Sequence, residues 1–289
     1  MADGRDSWFF IIGCQRSGTT LMRLILESHS QVACCDESLA YNVIRGSGDP
    51  ARTRRLLGLK VPCLTEQFAN PSFWDEFLLR QAIPNPYAGQ KLIFMVRDVR
   101  DTVASMLELR LPGEPWNGAR WYDMNLAPSL RAKIANDMPF RRRYAIELSR
   151  LRTAVNPELA RAAFYWRYKT EALLDYCALG FPALLVRYED LVAQPQVELL
   201  RVCGFLQMPW EAALLAHHRA PHRDVAEDGS TIGGTDPRRA IDLRSRERWR
   251  VSFAPADVRT ILEFAGDVQS LLYPASASAV AGEGAAAGR

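Results

Sequence analysis

The chain alternates two hydrophobic periods. Trp8 to Ile12 is an unbroken apolar run that stops at Gly13. A short polar loop follows, Cys14-Gln15-Arg16-Ser17-Gly18, and then apolar residues recur at Leu21, Met22, Leu24, Ile25 and Leu26. The run has the length of a buried strand, and the later spacing is that of a helix face. LLGLKVP (56–62), KLIFMVR (91–97) and PALLVRY (182–188) are further strand candidates, each followed by a helical pattern. Helices are predicted over 98–110, 128–153, 157–178, 195–206 and 255–272, with another starting near Leu39. Apolar strands separated by helices predict an α/β fold, a doubly wound parallel sheet with helices on both faces. Ligands in such sheets bind at the carboxyl ends of strands. Residues 217–250 have little periodicity and much Arg, Gly and Asp, which predicts a lid or binding segment. One domain is expected over 1–274, and the small-residue stretch 275–289 is expected to be a disordered tail.

Composition narrows this picture only a little. With 48% apolar and 24% charged residues in 289, the chain reads as an ordinary globular protein. A net charge of +3 fits a locally held anion better than a surface that coats nucleic acid. Only four of the 36 basic residues are lysine, Lys60, Lys91, Lys133 and Lys169. Six cysteines without a C-x-x-C spacing read as reduced, mostly buried thiols. The apolar run at Trp8 is too short for a signal or membrane anchor, so the expected location is the cytoplasm.

The loop after the first strand carries the chemistry. Gly13-x4-Gly18 has the spacing of a phosphate-binding P-loop, so the sheet is expected to be P-loop-like. Thr19, however, stands where the P-loop lysine would be. Gly13 permits a sharp turn off the strand, and Gly18 lets backbone approach a ligand. The N–H groups from Arg16 to Thr20 would converge on an anion at a helix N-terminus, with hydroxyls from Ser17, Thr19 and Thr20 and charge from Arg16. Without the lysine, and with no clear acidic strand end for magnesium, hydrolysis of a nucleoside triphosphate is disfavoured. A second anion site is suggested by FMVRDVRDTVASM (94–106), where Arg97 ends a strand and Ser105 lies within the next helix. Ser105 reaches the strand end only if the chain bends back after Arg97.

Together, GCQRSGTT and VRDVRDTVAS resemble the two nucleotide-binding motifs of the sulfotransferase family. The likeness extends to VRYEDLVAQPQVELLRVCGFL (186–206) and to Glu247-Arg248-Trp249. It implies that the first loop holds the 5′-phosphosulfate of 3′-phosphoadenosine-5′-phosphosulfate (PAPS), while Arg97 and Ser105 hold the 3′-phosphate. No metal is implied, because the leaving nucleotide is already a good leaving group. Among sulfotransferases the motifs are most similar to those of tyrosylprotein sulfotransferases, in which Gln15 would be proline. Those enzymes are membrane-anchored and luminal and carry disulfides. Their catalytic glutamate lies twenty-one residues beyond the motif arginine, which lands on Glu37, and their Lys-x-Pro matches Lys60-Val61-Pro62.

The resemblance thus implies Glu37 as general base, with Asp36 as its near rival, Lys60 on the bridging oxygen, and Arg16 adding charge on the 5′ side. Thr235 and Tyr188 are implied as nucleotide contacts. His29 reads as structural, and His217, His218 and His222 as loop residues. The six arginines of 238–250 read as a lid over a highly charged nucleotide. The expected partner is a hydroxyl-bearing acceptor: a peptide tyrosine, a phenolic metabolite or a sugar. Trp116, Trp121 and Tyr122 are expected to wall its pocket or to pack in the core. A P-loop small-molecule kinase and a non-catalytic nucleotide-binding protein are the alternatives.

Overall fold

Five strands form one all-parallel sheet: β1 (Trp8–Gly13), β2 (Val32–Cys35), β3 (Leu56–Lys60), β4 (Lys91–Val96) and β5 (Ala183–Arg187). Their order is β2-β3-β1-β4-β5. The structure is a computed structural model that describes residues 8–44, 54–67, 90–111, 118–222 and 234–274. The predicted tail and Trp116 fall outside the described residues. Successive side chains of β1 serve opposite faces, with Phe10 and Ile12 in one core cluster and Phe9 and Ile11 in the other. In β4, Leu92, Phe94 and Val96 oppose Ile93 and Met95 in the same way. Both faces are covered, so the sequence shows continuous apolar runs in place of alternation.

Helix α1 (Thr19–Glu27) follows β1 and buries Met22, Ile25 and Leu26 on one face of the sheet. After α2 (Glu37–Ile44), helix α3 (Val99–Glu108) follows β4 and buries Val99, Val103 and Met106 on the other. The helices leaving two neighbouring strands therefore diverge. That divergence opens a crevice beyond the carboxyl ends of β1 and β4, where open α/β sheets take their ligands.

Several predicted elements are divided in the structure. The helix expected over 128–153 is α4 (Ala127–Asn136), α5 (Met138–Arg143) and α6 (Ala145–Leu151), preceded by a π-helical turn at Tyr122–Leu126. It breaks at buried Asp137, whose carboxylate caps α5 by accepting from the Phe140 N–H at 2.8 Å. Pro139, in the first turn of α5, reinforces the break because it has no N–H to donate back to the preceding helix. The 22-residue α7 (Pro157–Ala178) was expected in full. The strand predicted through Tyr188 stops at Arg187, where α8 (Tyr188–Ala193) begins, followed by α9 (Pro195–Leu206). After α10 (Trp249–Ser252), Gly266 with φ 60° separates α11 (Pro255–Ala265) from α12 (Asp267–Leu272). Strand β2 escaped the sequence pattern because it is four residues long.

Three of the four lysines are buried, with Lys91 the exception. Lys169 on α7 pairs with Glu66 at 2.6 Å and donates to the Cys63 carbonyl at 2.8 Å, and Lys133 pairs with Glu66 and Asp137 at 3.4 and 3.3 Å. This cluster ties α7 and α4 to the turn that follows β3. Removing one member leaves buried charge uncompensated. Lys169→Ala should therefore cost about 3 kcal/mol in urea unfolding. A loss under about 1 kcal/mol, the range of an exposed pair, would show that the cluster does not hold that turn.

Candidate active site

The loop between β1 and α1 is built to present its backbone. Gly13 has φ 125°, and a Cβ there would lie 2.1 Å from the Met95 carbonyl oxygen on β4. Gly18 has φ 93°, and a Cβ there would meet the Tyr188 ring at 2.6 Å. Arg16 itself adopts φ 72°, a costly conformation for a residue with a side chain and one concentrated at functional sites. The Arg97 guanidinium holds that conformation by donating to the Arg16 carbonyl at 3.2 Å. Gly18 caps α1 without a side-chain bond, and α1 has no acidic residue in its first turn. Its leading N–H groups and the helix dipole therefore face the crevice ready for an anion. Behind them the Ser17 hydroxyl is fully buried, with no partner among the described residues.

The second motif converges on the same crevice. Arg97 is buried at the end of β4, its backbone carbonyl accepting from the Trp166 indole N–H at 2.9 Å. Its guanidinium lies over the Tyr188 ring at 4.7 Å and donates to the Ser245 carbonyl. Ser105 sits in α3, yet its hydroxyl accepts from Arg16 Nε at 3.1 Å. The bend needed after Arg97 is supplied by Asp98, which caps α3 through the Arg100 N–H at 2.8 Å. Burial, then the neighbouring charges of Arg97 and Arg248, push the Arg16 guanidinium down to about 10. Such a depression marks cations gathered where an anion would relieve them.

Arg16, Gly18, Thr19, Thr20, Arg97 and Ser105 together line a cavity of about 170 Å³, joined by Tyr188 and Thr235. Its far wall is the irregular segment 234–248. Two arginines of that segment line the cavity while also ion-paired, Arg239 with Asp242 and Arg248 with Glu108. The segment is fastened to α3, where Asp101 accepts from the N–H groups of Glu247 and Trp249 at 2.7 and 3.1 Å. Arg100 stacks over Trp249 at 4.2 Å.

The two groups expected to do chemistry are not among the lining residues of the cavity, and Lys60 connects to it through Thr20. Lys60 ends β3, is buried, and donates to the Thr20 hydroxyl at 3.4 Å. Burial holds its ammonium below the ordinary lysine range, an effect that Glu37 opposes. Glu37 opens α2, and its Oε1 accepts from the Cys63 N–H at 2.9 Å and from the Tyr41 hydroxyl at 2.6 Å. The capping role belongs to its neighbour, since Asp36 accepts from the Leu39 N–H at 2.9 Å.

Sequence reasoning missed the support beneath this region. Gln15 stands where the tyrosylprotein enzymes have proline, and its amide donates to Cys63 Sγ at 3.0 Å and accepts from the Tyr165 hydroxyl at 3.0 Å. Thr65 accepts from the Gly13 N–H at 2.9 Å. The phosphate loop is thereby joined to the turn after Lys60. Those partners are distant in sequence, so no local pattern signals them. Trp121 and Tyr122 are core residues, with Trp121 edge-on to Tyr165. His29 is structural as expected. Its Nδ1 accepts from the Gln31 N–H, which leaves Nε2 to donate to the Pro209 carbonyl at 2.8 Å. His217 and His222 are more than loop residues, since His217 is fully buried and His222 bonds Glu27 of α1 at 3.1 Å.

Comparison with known proteins points to sulfotransferases. A protein-tyrosine sulfotransferase of Caenorhabditis briggsae, so named provisionally, is 22% identical over 96% of this chain and 93% of its own length. Protein-tyrosine sulfotransferase A of Caenorhabditis elegans is 22% identical over 87% of this chain, which spans 63% of that protein. The model of the sulfotransferase family matches residues 9–75, from β1 through Glu37 and Lys60. Over that stretch and along the relatives the chain is similar to sulfotransferases. A sulfotransferase domain from the curacin biosynthetic pathway shares the fold, with a TM-score of 0.55 at 18% identity over 91% of this chain and 96% of that one.

These likenesses correct one expectation. The relatives are named protein-tyrosine sulfotransferases, and the expected cytoplasmic location does not stand against that finding. Among the described residues no helix is long and apolar enough to cross a membrane. Among the described residues the six cysteines form no disulfide, and four of them are buried.

Proposed function

We propose that this protein moves the sulfuryl group of PAPS to the hydroxyl of an acceptor, with a peptide tyrosine as the acceptor its relatives' names favour. One observation carries the reading. Arg16 joins two anion-binding elements, lying in the backbone cradle of the first while its Nε reaches Ser105 of the second. A nucleotide with phosphate groups at both ends of its ribose fits that pairing. The orphaned Ser17 hydroxyl, the uncapped start of α1 and the space kept open at Gly18 suit a phosphosulfate oxygen set close to backbone. When bound, PAPS supplies an activated sulfuryl group and a stable leaving phosphate.

The roles assigned to the chain's own residues follow from position. Arg97 and Ser105 hold the 3′-phosphate, and the loop from Arg16 to Thr20 holds the 5′ side. Tyr188 walls the nucleotide between Gly18 and Arg97. Thr235 contacts it from the lid. Lys60 stabilises the oxygen that bridges to the leaving phosphate, with Arg16 beside it. Glu37 takes the acceptor's proton on Oε2, because Oε1 is already engaged. The kinase alternative lacks the lysine that would grip β and γ phosphates.

Lys60 gives this assignment a pH signature. Its ammonium must be protonated to stabilise developing negative charge, so kcat/KM should fall as pH rises through its depressed pKa. The alkaline limb should lie below the ordinary lysine range and disappear toward higher pH in Lys60→Arg, whose guanidinium does not deprotonate there. An alkaline limb identical in both proteins would remove Lys60 from the chemistry.

A further inference from the structure

Tyr41 has no part in the reaction as drawn so far, yet its hydroxyl lies 2.6 Å from Glu37 Oε1. The contact is set by the helix. Glu37 and Tyr41 are one turn apart on α2, so their side chains leave the same face. Cys63 N–H reaches the same oxygen at 2.9 Å from the turn after β3. Two donors on one carboxylate oxygen fix the plane of the group and leave its other oxygen to accept a proton. The phenol is well suited to donate here. Burial, with Cys63 and Glu37 nearby, holds its pKa well above the usual tyrosine value, so it remains protonated throughout the working range.

We propose that Tyr41 is a positioning residue that clamps Oε1 of Glu37 and so directs proton transfer to Oε2. This rests on Glu37 being the base. The titratable and charged groups facing Glu37 are Tyr41 on its own helix, Cys63 on the neighbouring turn and Lys60 at the end of β3, with Asp36 adjacent in the chain. Of these only Tyr41 donates through a side-chain hydroxyl, so its removal can be read separately. The remaining bond from the Cys63 backbone survives the change.

The test compares Tyr41→Phe, Glu37→Gln and the double variant, by kcat and KM taken separately and by affinity for 3′-phosphoadenosine 5′-phosphate. Without the phenol, turnover of Tyr41→Phe should drop about tenfold as the carboxylate loosens, with KM little changed. Nucleotide affinity should stay within about twofold of wild type, since the phosphates are held by other elements. In the Glu37→Gln background Tyr41→Phe should have no further effect, the mark of a residue acting through another. A Tyr41→Phe turnover equal to wild type overturns the proposal while leaving the base assignment intact, provided Glu37→Gln is crippled. An equal loss in both backgrounds also overturns it, because it assigns Tyr41 a role independent of Glu37. Full activity in Glu37→Gln sinks the base assignment and this proposal together.

Discussion

Glu37→Gln should slow sulfuryl transfer by roughly 10²- to 10⁴-fold, the usual cost of losing a general base. Glutamine keeps the shape and can still accept from the Cys63 N–H and the Tyr41 hydroxyl, but it cannot take a proton. The fold should tolerate the change, because the helix start is capped by Asp36 and not by Glu37. Nucleotide affinity should be nearly unchanged, since the cavity is lined by the first loop, Arg97, Ser105 and the lid. Asp36→Asn is the informative contrast. Its expected effect is on the helix cap, on the order of 1 kcal/mol of stability, with near-normal turnover. Single-turnover transfer measured beside thermal unfolding separates the two. Glu37→Gln turning over within about threefold of wild type, far inside the general-base range, would pass the role to another group.

Removing the 3′-phosphate from the donor should be nearly as damaging as removing the base. Charge-assisted hydrogen bonds contribute about 1.5–3 kcal/mol each. Losing those from Arg97 and Ser105 corresponds to roughly 10²- to 10⁴-fold in affinity. Adenosine 5′-phosphosulfate should bind that much more weakly than PAPS. Changing the ligand is cleaner here than changing the protein. Arg97 also supports the Arg16 carbonyl and the Ser245 carbonyl, so Arg97→Ala would disturb the first site as well as the second. Calorimetric titration gives the comparison, and equal affinities would detach Arg97 and Ser105 from the 3′-phosphate.

How much of this was legible in the sequence depends on the distance between interacting residues. The strand–loop–helix unit at Trp8 to Leu26 is local, and both its period and its missing lysine are plain in the chain. The contact of Arg16 with Ser105 crosses 89 positions, and the motif resemblance had assigned the two residues to separate phosphate sites. The support from Gln15, Thr65, Tyr165 and Lys169 left no sequence signal, because each contact joins different elements through a single polar atom. Tyr41 could have been found from its one-turn spacing to Glu37, had the helix been started at Glu37 and not near Leu39. Over 128–153 the helical period was correct, but Asp137 won locally as a cap and divided the helix. Of the arginine-rich stretch read as a lid, Arg239 and Arg248 line the cavity.

The most direct test of the central claim is a single-turnover reaction of the protein with PAPS labelled in its sulfur, in EDTA, with a tyrosine peptide, a phenol and a sugar as acceptors. The account predicts that label passes to an acceptor hydroxyl with one 3′-phosphoadenosine 5′-phosphate released per sulfate transferred. It also predicts no dependence on magnesium, because Lys60, Arg16 and backbone N–H groups meet the charge on the leaving phosphate. Tight binding of magnesium–ATP with phosphate passed to the acceptor, and no transfer of label from PAPS, would contradict it.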